Sequence, residues 1–242
     1  MVLARRILAL PIALVLAGVA LAGCATPVAG DPSSSPTAGD DGTEAEVDAA
    51  WLDDGRIIGL VTTGSSTCIP AADEAMLDDD GTLAVTLVEP EADTPCTSDL
   101  VPRVTLVEVP EGVDPAENLP ITVTGDGYEA STELAGVAGL TGGGMTDYLP
   151  SAGWTETAGQ FVLLTWGSSS CAPVIAEVAV SGPAEVTVTF QAPPADQVCT
   201  MDMAPRATVA VVEGLEAKTD VELVLTGSPE FADVRVPIYG EN

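Results

Sequence analysis

Gly167-Ser168-Ser169-Ser170-Cys171-Ala172-Pro173 decides the fold, because it restates Gly64-Ser65-Ser66-Thr67-Cys68-Ile69-Pro70 with a shift of 103 positions. The match extends outward almost without gaps. Pro90-Glu91-Ala92-Asp93 falls on Pro193-Pro194-Ala195-Asp196. Cys96-Thr97-Ser98-Asp99-Leu100-Val101-Pro102-Arg103 falls on Cys199-Thr200-Met201-Asp202-Met203-Ala204-Pro205-Arg206. Trp51 falls on Trp154, and after one deletion Thr124-Gly125 meets Thr226-Gly227. A match of this length in Trp, Cys, Pro and Arg is a duplication. It sets the expected domains at 51–138 and 154–242. Between them lies 139–153, a hinge rich in glycine at Gly142-Gly143-Gly144.

Both copies read as all-β. Segments rich in Val, Ile, Leu and Thr recur between Gly, Pro and Asp turns. In the first copy they are Arg56–Thr63, Ala71–Leu77, Thr82–Val88, Arg103–Val109, Leu119–Thr124 and Tyr128–Leu134. In the second they are Gln160–Trp166, Val174–Val180, Glu185–Phe190, Arg206–Val212, Val221–Thr226 and Phe231–Ile238. Ala71–Leu77 has helical propensity, but its counterpart Val174–Val180 is β-branched and resists a helix, so both are read as strands. The expected class is two tandem small antiparallel β-sandwich or barrel-like repeats, each with one disulfide.

Four of the five cysteines supply those disulfides. Four cysteines permit three pairings, and the equal spacing selects Cys68–Cys96 and Cys171–Cys199. If neighbouring strands run antiparallel, the connections that carry each pair lie at one end of the domain, where the two sulfurs can meet. Each bond is worth about 3–4 kcal/mol for such a loop. The contribution matters in domains that share only three Phe and three Trp.

The fifth cysteine, Cys24, closes an apolar N-terminal run. Arg5-Arg6 form a positive start and Ile7 to Val19 an apolar stretch too short to span a membrane comfortably. Leu21-Ala22-Gly23-Cys24 resembles the lipobox of bacterial lipoproteins at all four positions. That resemblance implies a signal peptide over 1–23, a diacylglyceryl group on the Cys24 sulfur, and cleavage just before it. The protein would then sit on the outer face of the cell membrane, where disulfides form. Residues 24–50, with Asp31-Pro32-Ser33-Ser34-Ser35-Pro36, read as a flexible linker spanning about 25–30 Å. The repeat itself is similar in general outline to small disulfide-stapled domains of exported Gram-positive proteins, a likeness that implies no activity.

The chain carries 37 acidic and 7 basic residues and no histidine, for a net charge of −30. Nucleic acid is a poor partner for such a surface, because phosphate binding needs clustered Lys and Arg. The absence of histidine also bears on the Gly-Ser-Ser-x-Cys segments. A serine nucleophile needs a base, and the single lysine, Lys218, is the only amine side chain. These serines read as turn residues bonding nearby backbone. Asp78-Asp79-Asp80-Gly81 lacks the ligand spacing of a calcium loop. Glu74 and Glu177 match between copies, yet a glycosidase needs a second carboxylate at a defined distance. Trp51 and Trp154 read as covers for the core edge rather than sugar-stacking surfaces.

The polar residues left standing are Ser65, Ser66, Asp99 and Arg103, matched by Ser168, Ser169, Asp202 and Arg206. They fall at the cysteine end of each domain and form a candidate binding pole. One reading has each arginine pairing with the nearby aspartate or pinning backbone beside the disulfide. The other has it binding a ligand carboxylate or a partner backbone. The expected function is a non-catalytic binding or structural module of the cell envelope, anchored in the membrane by lipid and contacting an envelope protein or wall glycan. No cofactor or metal is expected. An exposed apolar patch at the cysteine end would fit this function. The alternatives are a carboxylate-based extracellular hydrolase, with close carboxylates in a cleft between domains, and an acidic cation-binding surface.

Overall fold

Seven strands build each repeat, one more than the periodicity predicts. The computed structural model describes residues 46–242. The expectations for 1–23, Cys24 and the linker up to residue 45 lie outside the described residues. The first repeat holds β1 (Asp48–Leu52), β2 (Ile57–Gly64), β3 (Ala71–Leu77), β4 (Leu83–Val88), β5 (Val101–Glu108), β6 (Leu119–Gly125) and β7 (Tyr128–Leu134). The second holds β8 (Ser151–Trp154), β9 (Gln160–Gly167), β10 (Ile175–Gly182), β11 (Glu185–Phe190), β12 (Ala204–Val211), β13 (Glu222–Thr226) and β14 (Val234–Tyr239). Ala71–Leu77 is a strand despite its helical propensity. The last strand begins three residues later than expected. Phe231 instead closes an isolated bridge with Ser228, and Asp233 takes a positive φ of 59° just ahead of the strand.

Patterning misses β1 and β8. Asp-Ala-Ala-Trp-Leu and Ser-Ala-Gly-Trp are short, lack β-branched residues and show no alternation, so nothing local marks them as strands. Asp48–Ala50, expected as linker, belong to β1, and Ser151–Gly153, expected as hinge, belong to β8.

In the first repeat, β1-β2-β5 form one sheet and β3-β4-β6-β7 another. The second repeat copies this as β8-β9-β12 and β10-β11-β13-β14, and there β14 also pairs with β8, Ile238 opposite Ala152, joining the two into a seven-stranded sheet. Antiparallel pairing, expected throughout, gives way to parallel pairing of β14 with β8 and, in both repeats, of β4 with β6 and of β11 with β13. The cause in the latter two is the crossover: the chain leaves β4, crosses to β5 in the other sheet, and returns beside β4 in the same direction. Leu83, Val85, Leu87, Ile121 and Val123 face Trp51, Ile58 and Leu60 across the first core. Val186, Val188, Leu223 and Leu225 face Trp154, Phe161 and Leu163 in the second.

A third cluster lies between the repeats. Ala50, Leu52, Ile57, Val61 and Val104 from the first pack with Val162 and Leu164 from the second. Strands β2 and β9 are therefore buried on both faces. Ile58 and Leu60 serve the first core while Ile57 and Val61 serve the shared one, and Phe161 and Leu163 alternate likewise with Val162 and Leu164. Their continuous apolar runs, Ile57-Ile58-Gly59-Leu60-Val61 and Phe161-Val162-Leu163-Leu164, are the sequence mark of such strands. Strand β1 lies against β8, and β5 against β12. The approach at β1 is close: a Cβ on Gly153 would sit 2.3 Å from the Trp51 carbonyl oxygen.

Hydrogen bonds across this interface fix the relative direction of the repeats. The Asp53 amide, past the end of β1, donates to the Ser151 hydroxyl at the start of β8 (2.8 Å). Asp48, at the start of β1, accepts from the amides of Glu156 (3.0 Å) and Thr157 (3.2 Å), past the end of β8. The two strands thus run oppositely, and the cysteine ends of the repeats point to opposite ends of the molecule. Residues 139–153 run alongside: Gly142 donates to the Asp54 carbonyl (2.9 Å) and Thr146 to the Asp53 carboxylate (3.1 Å).

Candidate functional site

Two connections in each repeat cross between its sheets at the cysteine end: β2 to β3 and β4 to β5 in the first, β9 to β10 and β11 to β12 in the second. The disulfides Cys68–Cys96 and Cys171–Cys199 staple these crossovers together, with Cα separations of 5.5 and 5.6 Å. The expected pairing is the one formed.

Beside each staple lies the same network of hydroxyls around one carboxylate. In the first repeat Asp99 accepts from the Ser66 amide (3.1 Å) and from the Thr97 hydroxyl, and the Thr97 hydroxyl bonds Ser65 (2.8 Å). In the second, Asp202 accepts from the Ser169 amide (3.1 Å) and the Thr200 hydroxyl, which bonds Ser168 (2.8 Å). The hydroxyl of Thr97, then Ser66, holds the Asp99 carboxyl down at about 2. Ser169 and Thr200 push the Asp202 carboxyl down in the same way. The serines and aspartates singled out in the sequence therefore do meet. Thr97 and Thr200 complete the network, and their match between copies was the signal for them.

The arginines stand apart from these aspartates. Asp99 makes no ion pair with Arg103, and Asp202 none with Arg206, which corrects the local pairing. Both guanidinium groups are instead buried under the crossover, against the backbone of Gly64 and Gly167, where a Cβ would collide with them. Arg103 donates to the Cys68 carbonyl and to the Glu89 carboxylate (2.5 Å); the Tyr128 hydroxyl bonds both Arg103 and Glu89. Burial, with Glu89 beside it, pushes the Tyr128 hydroxyl upward, so it stays protonated. Arg206 donates to the carbonyls of Cys171 (3.3 Å) and Trp166 (2.8 Å), and it pairs with Glu230. Backbone bonding by guanidinium is thus what pins the crossover.

The carboxylate partner has changed place between the copies. Glu89 aligns with Ala192, whereas Glu230 has no counterpart at Tyr128: Thr132 and Val236 are equivalent through their partners Ile121 and Leu223, so Glu230 lies in a connection between β13 and β14 that is two residues longer than the turn between β6 and β7. The glycines ahead of the turn do match: a Cβ on Gly125 would meet the Leu87 carbonyl oxygen at 2.2 Å, and one on Gly227 the Phe190 oxygen at 2.3 Å. Glu89, Tyr128 and Glu230 carry no repeat signal in the sequence, because none has a like residue at the matching place of the other copy.

A cavity of about 430 Å³ opens at the second pole. Pro173, Val174, Ala192, Pro193 and Pro194 line it beside the disulfide, with Arg206 and Glu230. Exposed apolar side chains surround both poles: Ile69 and Leu100 in the first, Val174, Val198, Met201 and Met203 in the second. A larger, polar cleft of about 690 Å³ lies between the repeats, with Glu46, Asp48 and Glu156 on its wall. Asp48 is occupied there by the Glu156 and Thr157 bonds, a structural use of its carboxylate. Glu74 and Glu177 are exposed on β3 and β10. Asp78–Asp80 form the hairpin between β3 and β4, where Asp80 bonds the Thr82 amide (3.1 Å). Trp51 and Trp154 are buried in the cores.

Comparison with known proteins finds no matching family model, no matching curated protein and no matching solved structure.

Proposed function

We propose that the protein is a lipid-anchored, non-catalytic binding module of the cell envelope, and that the cysteine end of its second repeat is the binding end. The supporting observation is the set of exposed apolar side chains there. Val198, Met201 and Met203 stand on one crossover with Val174 on the other. Four solvent-facing apolar residues beside a cavity are costly to keep in water and suit a partner surface. Methionine adapts well to such contacts. The pole also lies at the end of the molecule opposite the start of β1, so a tether through residues 24–45 leaves it facing outward. Envelope protein or wall glycan is the partner class that this placement and the acidic surface favour.

Two measurements test the reading. A clickable fatty acid supplied to cells should label the full chain, and Cys24→Ala should abolish the label and release protein into the medium; retained labelling would refute the anchor. Cross-linking on intact cells should recover one envelope component with the wild-type chain. Met201→Glu with Met203→Glu should lose it without changing the melting temperature. Unchanged recovery by that variant would remove the second pole from the binding role.

A further inference from the structure

The two disulfides match in place and separation, and they differ in what surrounds them. Cys68 is 2% exposed, while its partner Cys96 is exposed. Cys171 is half-buried and Cys199 exposed, and both line the cavity of about 430 Å³ at the second pole. An attacking thiolate therefore reaches the first bond only at Cys96, and the sulfur it displaces is left charged in a buried site. In the second bond the displaced sulfur is open to water whichever one is attacked.

The crossovers joined by these bonds are also held differently. In the first repeat Pro70 is buried and its carbonyl accepts from Thr105 (2.8 Å). Its counterpart Pro173 is half-buried and lines the cavity. On the other crossover Glu89 bonds Arg103 and Tyr128, and its amide donates to Asp126 (3.0 Å). Ala192, at the place of Glu89, has no side chain to make such bonds. Glu89, Pro90 and Asp99 are half-buried in the first copy, whereas every residue from Gln191 to Met203 is exposed. The second crossover is thus tied down by its disulfide and by the surface bonds of Thr200 and Asp202.

We propose that Cys171–Cys199 is a redox latch: a dithiol outside the cell reduces it in preference to Cys68–Cys96, and reduction frees the crossover 191–203. The inference rests on the second pole being the binding end, and it names how that end is regulated. One thiolate of the dithiol attacks the Cys199 sulfur, forming a mixed disulfide and displacing Cys171 as a thiolate, which takes a proton from water. The second thiol gives up its proton and attacks the reductant's own sulfur in the mixed disulfide. Cys199 leaves and is protonated, and the reductant departs as a cyclic disulfide. Two electrons pass from the dithiol to the protein, and two thiols replace the latch. Val198, Met201 and Met203 lie on the freed crossover, so reduction disperses the apolar surface of the binding end.

Timed reduction of the folded full-length protein with dithiothreitol tests this. Free thiols are blocked beforehand, new ones are trapped with iodoacetamide, and each is located by peptide mass spectrometry. Cys171 and Cys199 should be labelled at least about tenfold faster than Cys68 and Cys96. Hydrogen exchange of the protein reduced at that one bond should quicken over 191–203 and stay unchanged in the first repeat. Equal labelling rates, faster labelling of Cys68 and Cys96, or unchanged exchange over 191–203 would overturn the latch. Cys171→Ser with Cys199→Ser fixes the open state and should lose the envelope component in cell cross-linking; full recovery by this variant refutes the regulation. If the variant does not fold, wild-type protein reduced and alkylated at those two cysteines is added to cells in its place, with the same two outcomes. Equal labelling rates with cross-linking still lost in the Met201/Met203 variant reject the latch and leave the binding end standing. Ordered labelling with cross-linking retained in that variant rejects the binding end, and with it the regulation.

Discussion

Arg103 and Arg206 show how a buried cation can be kept while its partner changes. Arg103 touches a carbonyl, a carboxylate and a phenol hydroxyl; Arg206 touches two carbonyls and a more exposed carboxylate. Removing either strands buried acceptors, and the loss scales with how many are left dry. Arg103→Met should cost about 2–3 kcal/mol and Arg206→Met about 1–2 kcal/mol, discounted for the exposure of Glu230. Urea unfolding of the two variants checks the order. Asp99 and Asp202 make a different prediction. Hydrogen bonds to the ionised form depress the folded values, from 3.8 to about 2 for Asp99, so their contribution is complete above the unfolded value and is lost as pH falls towards the folded one. Wild-type stability should therefore decline between about pH 4 and pH 2, and Asp99→Asn with Asp202→Asn should flatten that decline in an acid titration followed by circular dichroism. The residues of the hydroxyl network were legible in the sequence because they repeat. The exchange of Glu89 for Glu230 was not, since it joins positions on different loops that only the folded crossovers bring to one guanidinium.

At the level of strands and connections, the staple holds together two crossovers that share no backbone ladder. Cys68→Ser with Cys96→Ser should cost about 3–4 kcal/mol in the first repeat, measured by chemical denaturation. The loss should appear as faster unfolding, with proteolysis beginning in the connection between β4 and β5. Twelve of the fourteen strands among the described residues were legible from composition and turn residues. The missing two depend on tertiary contact. Strand β1 is held by Trp51 in one core and Leu52 in another, and β8 by Trp154 and the close approach at Gly153. The parallel pairs escaped notice for a related reason, since alternation along a strand carries no information about the direction of its neighbour.

The whole molecule depends on the shared cluster. Continuous apolar runs in β2 and β9 announced burial on both faces, but the sequence could not say what would cover the second face. The partner is the other repeat. Gly153→Val forces a side chain into the Trp51 carbonyl and should separate the repeats without unfolding either core. A single calorimetric transition in the wild type should become two in this variant; one sharp transition at an unchanged temperature would argue against a joint unit. Because β1 meets β8 and β5 meets β12 in opposed directions, each repeat offers its partner the same face that it receives. Such an arrangement is the internal image of a two-fold dimer, with residues 139–153 as the covalent tie. Its stoichiometry is closed at two: a third copy would find no vacant face to join.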